Sequence, residues 1–214
     1  SDYNNITVEY YADYERSIEL TRSAVLTQPN GVDLLLVANK DNVIFYNGLD
    51  SADCEFDFGY IPVEKFITFG SDREPITAIV PMADSVGVFK GGSFYRVSFT
   101  FNSDSETYEA EYVPQITESI DAKGCVNQFV SCNVNGDTLV FDGAGVYGIE
   151  YSSNQRSLKA RSSNINKAFE QYSRDKLESA VALEHEGRYY LFINGDVYIA
   201  DSRFKVYESN RLDT

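Results

Sequence analysis

The chain has 214 residues, 43% of them hydrophobic, with 16 Tyr and 14 Phe but no Trp, and its 33 acidic and 18 basic side chains give a formal net charge of -15. That length supports one sizeable core, no apolar run approaches the ~18 residues of a membrane span, and no segment resembles a signal peptide. So acidic a surface repels phosphate backbones and anionic lipid, which argues against specific nucleic-acid binding and against membrane binding.

In chain order, the sequence opens on Ser1 rather than Met, as expected of a processed product or a piece of a longer chain. "ITVEYYADY" (residues 6–14) reads as a half-buried strand, and its Tyr10, Tyr11 and Tyr14 are candidate sugar-stacking side chains. "VDLLLVANKDNVIFYNG" (residues 32–48) reads as strand, turn, strand. In "DSADCEFDF" (residues 50–58), Asp53, Glu55 and Asp57 share one strand face and are a candidate Ca²⁺ set; a row of carboxylates facing water is the plainer reading. No metal or cofactor is otherwise expected. Residues 1–60 hold three basic and eleven acidic groups, a net of -8.

Three later segments share one design. "FKGGSFYRVSF" starts at Phe89, "FDGAGVYGIEY" at Phe141 and "FINGDVYIADS" at Phe192. Each places a Phe before a Gly-containing turn and a Tyr six positions on: Phe89/Tyr95, Phe141/Tyr147 and Phe192/Tyr198. Ahead of each Phe lies a β-rich run with its own inner turn, in "ITAIVPMADSVGVF", "FVSCNVNGDTLVF" and "AVALEHEGRYYLF". Each unit thus reads strand, turn, strand, Gly turn, strand. The Phe positions are 52 and 51 residues apart, with a fainter copy at Phe45, 44 residues before Phe89.

A period of about 40–50 residues with three or four short strands per unit marks a propeller blade. One meander buries a single face, so neighbouring sheets must stack to cover each other. The expected fold is all-β, one propeller-like domain over residues 1–214 with four to five antiparallel blades, either a complete small ring or part of a larger propeller. Blade-like repeats fall near 33–60, 76–100, 128–151 and 180–208; an antiparallel β-sandwich is the alternative. "ITVEYYADY" and "FKVYES" are candidates to close the ring by sharing one blade. The aligned Phe and Tyr are expected to pack between blades. Gly91, Gly92, Gly143, Gly145 and Gly195 are expected to include positive φ angles, which tight hairpins require.

One segment breaks the β design. "SSNINKAFEQYSRDKLESA" (residues 162–180) spaces Ile165, Phe169 and Tyr172 on one helical face, predicting a short helical insert near 163–177 with Ser163 or Asn164 as N-cap. Residues 156–176 carry Arg156, Lys159, Arg161, Lys167, Arg174 and Lys176 against Glu170 and Asp175, a net of +4. These six are the candidate interface residues, facing an acidic partner.

Catalytic arrangements are sparse. His185 is the sole histidine, and no Ser or Cys occupies a nucleophile elbow. The glycines of "DGAGVYG" match neither a phosphate loop nor a dinucleotide fingerprint. Cys54, Cys125 and Cys132 are an odd number without zinc spacing; they read as small buried apolar residues in a reducing compartment.

The order of features resembles the β-propeller proteins of phage and prophage tail modules. The resemblance rests on "EPITAIVPMADSVGVFKGGSFYRV", "GCVNQFVSCNVNGDTLVFDGAGVYGI", the polar helical insert, and "LESAVALEHEGRYYLFINGDVYIADSRF", about residues 74–204. Relatives often carry a Trp in the final strand, where Val206 and Tyr207 stand here. The resemblance implies a non-enzymatic virion component of the tail nozzle, hub or fibre-associated type. It would be assembled in the bacterial host cytoplasm and contact other copies of itself and neighbouring tail subunits. It implies no catalytic residues. A carbohydrate- or receptor-binding propeller is the alternative, and a glycoside hydrolase the third.

Overall fold

The computed structural model describes residues 7–8, 18–39, 41–50, 55–56, 58–62, 64–82, 84–103, 110–121, 123–151, 156–201 and 212–213. The protein is all-β and propeller-like, with four antiparallel meander sheets and two short helices among the described residues. Each sheet is drawn from one stretch of chain, as blades are, which sets aside a sandwich whose strands would cross between sheets. The chain divides into two compact units, residues 1–122 and 123–214, each holding two of these sheets.

In the first unit, the first sheet has the order β1 (Thr7–Val8), β2 (Ile18–Thr27), β3 (Asp33–Asn39), β4 (Val43–Tyr46), β7 (Phe66–Thr68). A small hairpin, β5 (Leu49–Asp50) and β6 (Glu55–Phe56), interrupts it before β7. The second sheet runs β8 (Ile76–Pro81), β9 (Val86–Lys90), β10 (Ser93–Ser103), β11 (Ala110–Asp121). Leu26, Leu36, Ile44 and Tyr46 of the first sheet pack on Ile79, Val86, Val88 and Val97 of the second, with Tyr95 against Phe69. Arg22 ties the two sheets together, its Nε donating to the Thr77 carbonyl at 2.9 Å.

In the second unit, a 3-10 turn (Gln128–Val130) leads into the third sheet: β12 (Cys132–Val134), β13 (Asp137–Phe141), β14 (Val146–Tyr151) and β15 (Arg156–Ala160). Helices α1 (Asn166–Phe169) and α2 (Arg174–Glu178) follow. The fourth sheet is β16 (Val181–His185), β17 (Arg188–Ile193), β18 (Asp196–Asp201) and β19 (Leu212–Asp213). Tyr189 is fully buried and its hydroxyl donates to the Val130 carbonyl at 2.6 Å, tying the fourth sheet to the 3-10 turn ahead of the third.

The three repeated hairpins share one register. Phe89 lies opposite Phe94, Phe141 opposite Val146 and Phe192 opposite Val197; each Tyr pairs with the residue before its Phe. The inner turns of the last two sheets carry paired positive φ angles, Asn135/Gly136 and Glu186/Gly187, and Asn194/Gly195 repeats this at the Phe192 turn. That is the turn whose twist suits a two-residue hairpin.

Several expectations need correction. Of the two candidate ring-closing runs, Thr7 and Val8 pair with β2 of the first sheet; the rest of "ITVEYYADY" and "FKVYES" lie outside the described residues. The faint copy at Phe45 is out by one residue. Ile44 and Tyr46 face the second sheet, while Phe45 is on the opposite face with Leu20, Val37 and Ile61. A single-residue slip flips a strand's faces, since side chains alternate.

The aligned aromatics are also less uniform than the repeat suggests. Tyr95 and Tyr198 do pack on a neighbouring ring, Phe69 and Phe169 respectively. Tyr147 departs from that role. It is buried and sits between Val140 and Ala160 in the sheet, but the contact on its ring is a cation, Lys123 Nζ at 3.7 Å from the centroid. All three Tyr lie on the face opposite their Phe. Tyr95 and Tyr198 meet a ring from the segment ahead of their own sheet, Phe69 and Phe169, whereas the segment ahead of the third sheet brings Lys123 to Tyr147. An ammonium over a phenol face is a favourable electrostatic contact in its own right. Phe192 departs too, being 37% exposed where Phe89 and Phe141 are fully buried.

Among the predicted turn glycines, Gly143 (φ +91°) and Gly195 (φ +94°) have positive φ; Gly91, Gly92 and Gly145 do not. Gly145 is needed for space instead: a Cβ there would lie 2.9 Å from Asn166 Oδ1 and 3.1 Å from Ser162 Oγ.

Lys90 is buried in the first unit. Its Nζ donates to the Phe69 carbonyl at 2.9 Å and also to that of Ser71. Burial pushes its pKa down, with Glu74 and Asp72 pulling the other way.

Candidate functional site

The helical insert and the last sheet form the candidate site, both in the second unit. The insert is helical but broken. The predicted continuous turn pattern gives way to two short helices, because Ser173 is extended (φ -68°, ψ 158°) and restarts the helix as the N-cap of α2. Neither Ser163 nor Asn164 caps α1. Its N-cap is Ile165, without a side-chain bond, while Ser162 accepts the Val146 N–H at 2.7 Å and donates to Asn166 Oδ1 at 2.6 Å.

Packing holds the insert against the unit. Phe169 is buried and lies edge-on to Phe141 and to Tyr198, with ring centroids 5.1 Å apart in both cases. The Tyr172 hydroxyl bonds Asp196, and it shares a 2.7 Å hydrogen bond with the Tyr198 hydroxyl. Burial first, then those two hydrogen bonds, pushes the Tyr172 pKa well up. A phenol so held is a fixed donor and not an activated nucleophile.

The six candidate cations divide sharply. Lys159, Lys167, Arg174 and Lys176 are exposed, and Arg174 pairs with Glu178 one helical turn on, at 2.6 Å. Arg161 is different: it is largely buried, and its Nε and NH2 donate to Asp137 Oδ2 at 3.1 and 2.9 Å. Gly148 makes that pair possible, since a Cβ there would lie 2.8 Å from both Arg161 Nε and Asp137 Oδ2. Arg161 is therefore a clamp across β13 and β14 and not a surface group. A glycine in the middle of a strand was the signal for it, because such a residue marks a close approach. Of Arg156 only the backbone is described, at the start of β15.

The feature that sequence reading missed is on the fourth sheet. Strands β9 and β13 are buried along their whole length, on both faces. In the fourth sheet Tyr189, Leu191 and Ile193 are buried, whereas Phe192 on the other face is open to solvent. Val181, Phe192 and Val197 form one cross-strand row, Leu183, Tyr190 and Ile199 the next. Val181, Leu183 and Val197 are exposed as well. "AVALEHEGRYYLF" is apolar at both parities, so alternation alone could not tell which face would be covered.

The first unit carries a counterpart. Val25, Leu35, Val37, Phe45 and Phe66 share the face of the first sheet that turns away from the second. Val25 and Phe66 are exposed there, with the Phe45 and Phe66 rings 6.4 Å apart.

The remaining candidates are quickly placed. Asp53 and Asp57 lie outside the described residues, as do Tyr10, Tyr11, Tyr14 and Cys54; Glu55 is described only as backbone in β6. Cys125 is buried, with its Sγ donating to the Asn127 carbonyl at 3.0 Å. Burial, then Glu184, pushes the Cys132 thiol up to about 11, which keeps it protonated and unreactive. His185 is exposed beside Glu186, at 3.9 Å. Among the described residues no group of three or more His, Cys, Asp or Glu is placed to hold a metal ion, and no helix is long and apolar enough to cross a membrane. No protein-family model matches the chain, and no curated protein matches it.

Proposed function

We propose that this protein is a non-enzymatic structural component of a phage or prophage tail assembly, working in the virion through protein–protein contacts. The observation that carries the reading is the outward row Val181, Phe192, Val197 with Leu183 beside it. Exposed contiguous apolar surface is costly in water and marks a surface meant to be covered by protein. The resemblance of residues 74–204 to tail-module propellers supplies the setting. The exposed Lys159, Lys167, Arg174 and Lys176 add an electrostatic handle for an acidic neighbour, which sets register and association rate more than affinity.

The test is genetic and visual. Removing the gene from a strain that produces the particles should yield particles with absent or defective tails in negative-stain electron microscopy, rescued by the gene in trans. Normal, infectious particles without it would overturn the reading.

A further inference from the structure

Asn-Gly occurs four times in the chain, at Asn30-Gly31, Asn47-Gly48, Asn135-Gly136 and Asn194-Gly195. The pair is chemically labile, because a glycine without Cβ lets its backbone nitrogen swing onto the side-chain amide of the asparagine before it. Folding slows that attack wherever the amide or the attacking nitrogen is held away from the other. The four pairs differ sharply in how they are held.

Asn47 is buried, its Oδ1 accepts the Leu35 N–H at 2.8 Å, and the Gly48 N–H is committed to the Tyr60 carbonyl at 3.1 Å. Asn30 is exposed, but its Oδ1 accepts the Tyr112 hydroxyl at 2.7 Å and the Val32 N–H at 3.3 Å, while the Gly31 N–H donates to the Gln28 carbonyl at 2.8 Å. Asn135 seats its side-chain amide against the inner turn of the fourth sheet, with Nδ2 2.9 Å from where a Gly187 Cβ would stand. Asn194 is held by none of these means. Both it and Gly195 are exposed, at φ +51° and +94°. Among the described residues no hydrogen bond reaches the Asn194 side chain or the Gly195 N–H. Nothing lies within 4 Å of where a Gly195 Cβ would stand. The last rung of the hairpin is Ile193 with Asp196, so rotation at the tip breaks no ladder bond.

We infer that Asn194-Gly195 is a site of spontaneous deamidation in the folded protein, with Asn135 slower and Asn30 and Asn47 protected. The Gly195 nitrogen gives its proton to hydroxide and attacks Asn194 Cγ; the bond from Cγ to the side-chain nitrogen breaks, and ammonia leaves with a proton from water. The resulting succinimide takes up water at either carbonyl, giving an aspartate or an isoaspartyl link. Water and base are the only co-reactants. Either product places a new carboxylate two residues from Asp196, which accepts the Tyr172 hydroxyl. The isoaspartyl link also adds a methylene to the backbone of a turn whose twist the hairpin needs. The rungs nearest the tip, Ile193 with Asp196 and Phe192 with Val197, take that distortion.

Peptide mapping by mass spectrometry, on the whole chain held in mildly alkaline buffer, tests this. Asn194 should lose its amide about tenfold or more faster than Asn30 and Asn47, which react only in locally opened molecules, and Asn135 should fall between. Hydroxylamine, which cleaves succinimides, should cut the folded chain after Asn194 first. In concentrated urea the four rates should converge, because only the fold distinguishes the pairs. An Asn194 that reacts no faster than Asn30 or Asn47 in the folded chain would overturn the inference. So would Asn135 reacting ahead of it, or an Asn194 lead that persists undiminished in urea.

Discussion

The hairpins at Phe141 and Phe192 are written alike and paired alike, yet they meet different surroundings. Phe141 is fully buried under the Phe169 ring, while Phe192 is partly open to solvent. A repeat therefore sets register, because register follows turn chemistry and alternation. It does not set what lies on top of a face, which depends on the element that comes next in the chain. After the third sheet comes a helical insert with a Phe at the right place; the fourth sheet has no equivalent among the described residues.

The contrast can be broken by experiment, first at its strongest point. Phe141→Ala removes a buried ring and should cost about 3–5 kcal/mol; Phe192→Ala in the monomer should cost under about 1 kcal/mol. Urea titration of both variants decides. Equal losses would mean that Phe192 is covered in solution. Next in size is Arg161→Ala, which leaves the Asp137 carboxylate without its cation, its Oδ1 already lacking a hydrogen-bond partner among the described residues. A loss of about 3 kcal/mol is expected, partly recovered by adding Asp137→Leu, whereas Lys167→Ala should change the melting midpoint little.

Alkali sharpens the comparison between units. Burial, then Glu111 and Glu64, pushes the Tyr46 pKa up from 10.0 to about 12 in the first unit, and Cys132 rises from 9.0 to about 11 in the second. Raised folded pKa values mean that the stabilisation is complete below the unfolded values and is lost as pH rises through the folded ones. The Cys132 contribution should decline from pH 9 to about 11, and that of Tyr46 from 10 to about 12. Urea midpoints against pH, with tyrosinate absorbance recorded alongside, follow both; a flat midpoint across that range would contradict the burial of these groups. The smallest effect is at the turns. Gly143→Ala meets Val126 Cγ1 at 3.2 Å as well as backbone strain, whereas Gly195→Ala meets only strain. About 1–2 kcal/mol is expected at Gly143 and less at Gly195, read from thermal melts.

Much of this was legible in the residues. The turn pairs Asn135-Gly136 and Asn194-Gly195 and the six-residue Phe-to-Tyr spacing are local signals, and they located three of the four sheets. The spacing did not tell what each Tyr would touch: Tyr147 meets Lys123, 24 residues earlier in the chain, and not an aromatic ring. The helical insert was legible from Ile165, Phe169 and Tyr172; its break at Ser173 was not read, because the apolar spacing continues up to Tyr172, although serine favours a cap over a helix interior. Arg161 could not be separated from its cationic neighbours by charge, because its partner Asp137 lies 24 residues away and the contact exists only once β13, β14 and β15 are side by side. The open face of the fourth sheet was hidden by composition, and the slip at Phe45 arose because Phe45 and Tyr46 are adjacent aromatics of opposite parity.

Around Lys90, backbone carbonyls converge on a positive charge as they do in the coordination shell of a monovalent ion, but here the ion is tethered to the polypeptide. Its local concentration is fixed by the chain, so the segment from Phe69 to Ser71 keeps its shape whatever salts surround the molecule. The same enclosure removes the amine from solution chemistry: an acylating reagent that modifies surface lysines would reach Lys90 only when β9 parts from that segment, which makes it a built-in clock for the opening of the first unit.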